Sequence, residues 1–194
     1  MCGRFFVAPD NYSEQLREVL EALQGHDLIK AESFDCFPTD TACVIANNRR
    51  QQPRIFEMRW GFPDRKGSGV VINARSETAS RLPMFCESAR CRRCLIPFSG
   101  YYEWMPTDEG KKKFLISPSG GNVLFLAGLY CNYGASAPSR FVVLTRCASK
   151  DLLFIHQRMP VLLPMGCVED WLSISGDFDS LIKQASDKVT FRAV

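Results

Sequence analysis

The residue after the initiator methionine is a cysteine. A small second residue permits removal of Met1, which would leave Cys2 with a free α-amine and a thiol on adjacent carbons. Their ordinary pKa values, roughly 7.7–8.0 and 8.5, keep useful fractions of amine and thiolate near neutral pH. Two chemistries follow. The thiol can act as a nucleophile with the α-amine as its own base. Alternatively, the amine condenses with an aldehyde to an imine, and the thiol closes on it to form a five-membered thiazolidine. A third reading makes Cys2 a small apolar residue ahead of a strand over residues 4–8. Gly3 lets the backbone approach a ligand closely, and Arg4 offers a guanidinium suited to phosphate or carboxylate.

Further along the chain, other polar groups are candidates to join it. Glu103 lies among aromatics in Gly100-Tyr101-Tyr102-Glu103-Trp104. Burial there raises a carboxyl pKa and suits acid–base work; a strand-end carboxylate paired with an arginine is the other reading. His156 sits in the apolar setting Phe154-Ile155-His156 and reads either as a satisfied core histidine or as a proton carrier. The second histidine, His26, follows Gly25 in a polar stretch. Asn73 and Arg75 end the run Val70-Val71-Ile72 and share one face of an extended segment. Together they can grip a sugar-phosphate, or Asn73 or Ser76 can cap a helix. Trp60, Phe62 and Trp104 offer flat faces for bases or belong to the core. Cys91 and Cys94 have the spacing of half a zinc site, but a second pair is missing and a structural site needs four ligands. No metal is therefore expected. The run Lys111-Lys112-Lys113 reads as a solvated hairpin.

These groups need a scaffold, and the rest of the chain provides one. It has 194 residues, 46% hydrophobic and 23% charged, enough for one core and unlike a disordered, coiled-coil or collagen-like chain. No run of ~18 apolar residues is present, as a membrane helix would require, and the apolar run Phe5–Ala8 is too short for a signal-peptide core. Nine scattered cysteines read as free thiols of a reducing cytosol. Leu16, Val19, Leu20 and Leu23 recur at helical spacing and predict an amphipathic helix within residues 11–24, opened by Asn11 or Ser13. Strand-type runs cover 41–46, 54–60, 70–73, 113–117, 123–130 and 140–145, separated by Gly-, Pro- and Ser-rich turns. Short helices are expected within 76–92, 167–172 and 177–185. The fold class is α+β: one domain with a curved, barrel-like, mainly antiparallel sheet and peripheral helices. Net charge is only +3, yet residues 44–93 hold eleven Lys and Arg against four Asp and Glu, a skew that fits an anionic ligand or a solvated face.

Six motifs in order resemble the SRAP family, the SOS response-associated peptidase or abasic-site processing proteins. They are Met1-Cys2-Gly3-Arg4, Trp60-Gly61-Phe62, Asn73-Ala74-Arg75-Ser76-Glu77-Thr78, Arg93-Cys94-Leu95-Ile96-Pro97, Gly100-Tyr101-Tyr102-Glu103-Trp104 and His156-Gln157-Arg158-Met159-Pro160. The resemblance implies one domain over residues 2–194, strongest over 2–164. It departs at Tyr101, where the family more often has Phe. It implies a covalent thiazolidine crosslink between Cys2 and an abasic site in single-stranded DNA, including junctions near replication forks, protecting the lesion during DNA damage and the SOS response. Lyase activity at the abasic site and self-processing of Met1 accompany that reading, and the family's protease or hydrolase label fits exposure of Cys2. By the same resemblance Glu103 is the acid–base catalyst and His156 assists proton transfer. Asn73 orients the N-terminus and the sugar. Arg4 and Arg75 hold flanking phosphates, while Trp60, Phe62, Trp104 and Pro38 stack on or wedge between bases. The basic block 44–93 then serves electrostatic capture. No cofactor is required, and the expected state is a monomer, cytoplasmic and associated with DNA in the nucleoid. Two other functions share some of these residues: an N-terminal-nucleophile amidohydrolase, and a non-covalent single-strand DNA-binding module.

Overall fold

A computed structural model describes residues 2–23, 32–134 and 136–194; Met1, His26 and Ala135 lie outside the described residues. The chain begins with a short strand, β1 (Phe5–Val7), then α1 (Glu14–Ala22). Ser13 is the cap of α1: its hydroxyl accepts from the Leu16 amide at 3.3 Å, one of the orphan donors of a first turn. The buried Leu16 and Leu20 of the predicted stripe anchor the helix. There follow β2 (Phe34–Cys36), β3 (Thr41–Asn47), β4 (Pro53–Trp60), β5 (Phe62–Pro63), β6 (Val70–Val71) and β7 (Asn73–Arg75). Two short helices, α2 (Ser76–Ala79) and α3 (Cys86–Cys91), lie on either side of Pro83. Then come β8 (Arg93–Pro97), β9 (Gly100–Thr107), β10 (Gly110–Pro118), β11 (Leu124–Cys131), β12 (Arg140–Cys147), β13 (Arg158–Pro160) and β14 (Leu162–Pro164). The helices α4 (Val168–Leu172) and α5 (Phe178–Lys183) precede the last strand, β15 (Val189–Ala193).

The larger sheet closes on itself. β12 pairs with β4, β4 with β3, β3 with β8, β8 with β11, and β11 returns to β12. Closure removes open edges; β8, β11 and β12 carry near-continuous apolar runs because so little of them meets water, whereas in β4 only Met58 and Trp60 are buried. All five residues of β8 are buried, and the Trp171 indole of α4 donates to the Cys94 carbonyl at 3.0 Å. The expected barrel-like, mainly antiparallel α+β architecture is present; its parallel exceptions are β12 with β4 and with β7.

The second sheet, in order β15-β10-β9-β1-β2, leans on this ring. Its register decides which side chains share a face. Phe5 is opposite Tyr101, Glu103 opposite Phe114, Trp104 opposite Lys113, and Phe114 opposite Ala193. The join to the ring runs through Trp60. Its ring stacks parallel to Phe141 at 6.1 Å, meets Phe5 at 5.1 Å, and its indole donates to the Ile72 carbonyl at 2.9 Å. Next to it, Gly61 has φ +112°, and a Cβ there would sit 2.9 Å from that of Val70, so only glycine fits this bend.

Candidate active site

The site forms where the two sheets meet. Cys2 is fully buried just before β1, and its backbone carbonyl accepts from the Asn73 side-chain amide at 2.9 Å. Asn73 opens β7, which lies parallel beside Val143–Thr145 of β12; the segment is a strand, and Asn73 caps no helix. Glu103 is in the middle of β9 with 4% of its surface exposed, not at a strand end. The alternation along β9 puts Tyr101 on the same face as Glu103.

Electrostatics join these groups. Burial, and then the Glu103 carboxylate, push the Cys2 thiol far up, so it stays protonated at neutral pH. Desolvation also raises the Glu103 carboxyl above the usual carboxylate range, while His156 acts in the opposite direction. Tyr101 is raised well above its ordinary value by burial, with the charges of Cys2 and Glu103 adding to the effect. Cys36 faces the same interior from β2, opposite Phe5, and its thiol is pushed up to about 12 by burial.

His156 is half-buried and held by a turn. Its Nδ1 lies 2.9 Å from the Arg158 amide nitrogen and 3.1 Å from the Arg158 carbonyl oxygen, so Arg158 holds that side of the ring in either tautomer. Arg158 in turn forms a bidentate pair with Glu77 at 2.6 and 2.8 Å and donates to the Thr145 carbonyl at 2.6 Å. Hydrogen bonds from Arg158 hold the Glu77 carboxyl below its ordinary pKa. The His156 turn is thereby pinned to β12 and α2.

The expected DNA-contacting residues divide into three groups. Trp60 and Phe62 are 0% and 2% exposed, so neither has a face for a base; both are corrected to core residues that support the seam. Phe62 packs on Phe85 and Tyr133. Arg75 is exposed at the end of β7. Arg4, Pro38 and Trp104 are partly exposed. The Arg4 guanidinium is ion-paired with Asp35 and lies 4.6 Å from the Phe37 ring centroid and 4.9 Å from that of Tyr102, so any phosphate must share it. Trp104 alternates with Glu103 and lies on the Tyr102 side of β9. There Lys113 is also engaged, 3.9 Å over the Tyr102 ring, so that hairpin lysine is not simply solvated.

The basic block 44–93 is not one surface. Arg49, Arg50 and Arg54 occupy the β3–β4 tip, at the far end of that hairpin from Trp60. Arg93 is buried against Trp171 and two backbone carbonyls. Cys91 and Cys94 flank the start of β8, the first partly exposed and the second buried, and all nine cysteines are free thiols. Sequence reasoning passed over Tyr101 and Cys36 and left Arg158 and Glu77 unassigned. The period of two from Glu103 to Tyr101 was the available signal for the first.

Fold and site together define a closed-sheet α+β protein with a cysteine, a carboxyl, an imidazole and an amide gathered at its second residue. The crystal structure of a phage-related protein from Bordetella bronchiseptica has this fold: TM-score 0.78 and 21% identity, covering 100% of this chain and 94% of that one. The family model of SOS response associated peptidase (SRAP) matches residues 1–194, and the chain belongs to that family. It is 30% identical to Abasic site processing protein YoqW of Bacillus subtilis (strain 168) over 186 residues, 89% of this chain and 80% of that protein. It is 27% identical to Abasic site processing protein YedK of Escherichia coli (strain K12), covering 91% of this chain and 82% of that protein. Among the described residues, no helix is long and apolar enough to cross a membrane.

Proposed function

We propose that this protein, with Met1 removed, captures abasic sites in single-stranded DNA as a covalent thiazolidine on Cys2. The observation that carries the reading is the convergence of Asn73, Glu103 and Tyr101 on a buried second-position cysteine. An abasic deoxyribose exists partly as an open-chain aldehyde. The Cys2 amine adds to that aldehyde carbon, and loss of water gives a carbon–nitrogen double bond. The thiol sulfur then adds to the same carbon while its proton passes to nitrogen, and the ring closes with water as the only by-product.

The electrostatics favour this order. A thiol held protonated is a poor first nucleophile, so the amine attacks and the sulfur follows. Glu103, with its pKa raised by burial, gives and takes the protons of ring opening, dehydration and reversal. His156, on the same charge network, serves the sugar hydroxyl released on opening. Asn73 fixes the Cys2 backbone. Arg75 and the Asp35-shared Arg4 hold phosphates, with Pro38 and Trp104 beside the strand. Single-strand preference, action at junctions, lyase side reactions, a DNA-associated location and a monomeric state belong to the same reading.

Intact-mass spectrometry of the protein before and after mixing with a single-stranded oligonucleotide bearing one abasic site tests it. The expected result is loss of Met1 and a DNA-sized adduct that survives denaturation and is abolished in Cys2→Ala. Retention of Met1, or salt-reversible binding without an adduct, overturns it; glutamine hydrolysis without DNA would point to amidohydrolase chemistry.

A further inference from the structure

The face of the second sheet that carries Glu103 continues into an aromatic surface that the chemistry above does not use. Phe114 lies directly opposite Glu103 in the β9–β10 register. Their Cβ atoms are therefore about 5 Å apart and point to one side. Phe154 meets the Phe114 ring edge-on at 5.8 Å, Phe191 meets it at 6.3 Å, and Phe154 and Phe191 meet each other at 5.2 Å. Phe114 is covered by this arrangement, but Phe154 and Phe191 remain 51% and 40% exposed, and Leu153 beside them is 50% exposed. Phe154 is two residues before His156, so the surface starts at the rim of the site.

Cations border the rings. The Lys112 ammonium lies 5.7 Å from the Phe114 centroid, and Lys150 is exposed in the segment that presents Phe154. Half-exposed phenyl rings beside ammonium groups match the requirement of a single-strand platform, which needs a π-face for the base and positive charge for the backbone. The area argues against a protein partner. A fully exposed aromatic side chain contributes about 150–250 Å², so the two rings and one leucine offer a few hundred Å² at most. A stable protein interface needs about 800 Å² on each side.

We propose that Phe154, backed by Phe191, stacks on the nucleobase next to the abasic sugar and so registers the lesion over Cys2. This rests on the abasic-site reading above. A strand whose lesion lacks a base gains nothing from stacking at the lesion itself. Its neighbour supplies the π-face, and the rings lie one contact beyond the residue opposite Glu103.

The test is fluorescence anisotropy with a single-stranded oligonucleotide carrying one tetrahydrofuran residue, an abasic analogue without an aldehyde, so binding is read apart from crosslinking. Phe154→Ala is expected to weaken Kd about five- to hundred-fold, the range of one base–aromatic stack, and Phe154→Trp to restore it. Phe154→Ala also loses its ring contacts to Phe114 and Phe191, so its melting curve is recorded to establish that the variant is folded at the binding temperature. Replacing the nucleobases on both sides of the lesion by further tetrahydrofuran residues is expected to erase the difference between the proteins. The proposal is overturned if Phe154→Ala binds within twofold of the unsubstituted protein, or if its deficit persists on the base-free oligonucleotide. A mass-spectrometric adduct on an aldehydic oligonucleotide separates the two readings: with the adduct present and Kd unchanged, only the platform fails. With no adduct on the unsubstituted protein, the abasic-site reading fails and the platform falls with it.

Discussion

Two regions of this molecule are rich in polar and basic side chains, and they are built differently. The tip of the β3–β4 hairpin carries Arg49, Arg50 and Arg54, and Arg49 lines a cleft of about 530 Å³ together with Arg92, Arg93 and Tyr130. Many of its polar groups hold the protein's own backbone: Asn48 accepts from the Arg50 and Gln52 amides, Asn47 donates to the Leu172 carbonyl, and Arg93 donates to the Ser173 and Gly176 carbonyls. The seam at Cys2 has fewer cations. Cys2, Tyr101 and Glu103 are buried there, are brought together from distant parts of the chain, and shift one another's protonation. Positive charge in a stretch of sequence marks where a chain is soluble or braced, whereas convergent buried polar groups mark where it does chemistry.

Glu103→Gln gives the sharpest separation. Adduct formation is expected to slow about 10²–10⁴-fold, the usual contribution of a positioned acid–base group, followed by quenched time points on a denaturing gel. Stability should move the other way. Glu103 has a raised pKa in the folded state, so the folded protein holds its proton to higher pH than the unfolded chain does. Its contribution therefore declines as pH rises from the unfolded value through the folded one. The Gln variant escapes that loss: it should melt higher at pH 7, by about 2–4 °C for each kcal/mol regained, with the gain vanishing below about pH 4. A variant that melts lower at both pH values would remove Glu103 from the chemistry side of the comparison.

Arg93→Ala probes the bracing region. It strips two carbonyls of a buried charged donor and uncovers the Trp171 ring, a change expected to remove about 2–4 kcal/mol of stability. The urea midpoint should fall with an unchanged slope, and the adduct rate at low temperature should stay within twofold.

The smallest effects compare two exposed arginines. Arg75→Ala should lower the salt slope of oligonucleotide binding by about one. Arg54→Ala should leave the slope unchanged and stability within about 0.5 kcal/mol. Equal slopes for the two would merge the regions that the structure separates.

Much of this was legible in the chain itself. Leucines at 16, 20 and 23 mark α1, Ser13 is a recognisable cap, and the apolar runs at 123–130 and 140–145 fall in the strands Leu124–Cys131 and Arg140–Cys147. Cys2, Asn73, Glu103 and His156 stand out by residue type and setting. What was hidden is pairing. β2, β13 and β14 are three residues long, β15 is mostly exposed, and β9 mixes aromatics with Pro106; none shows a clean alternation. Trp60 and Trp104 have equally aromatic neighbours, and only the packing of Phe5 and Phe141 against Trp60 tells core from surface. The charge block 44–93 misled because Arg49, Arg92 and Arg93 gather on one cleft, where Arg93 is spent on the protein's own backbone, whereas Arg75 ends β7 beside Asn73.

The strand register also has a consequence for biosynthesis. β1 finds its partners at residues 34–36 and 100–101, and β10 takes residues 189–193. Such distant pairings form slowly, after most of the chain is available. While it is being made, the polypeptide has its second residue outside the ribosome long before the strands that bury it exist. Through that interval the thiol is open to whatever aldehydes and oxidants surround it. The newborn chain, more than the finished protein, is where this cysteine stands to be lost.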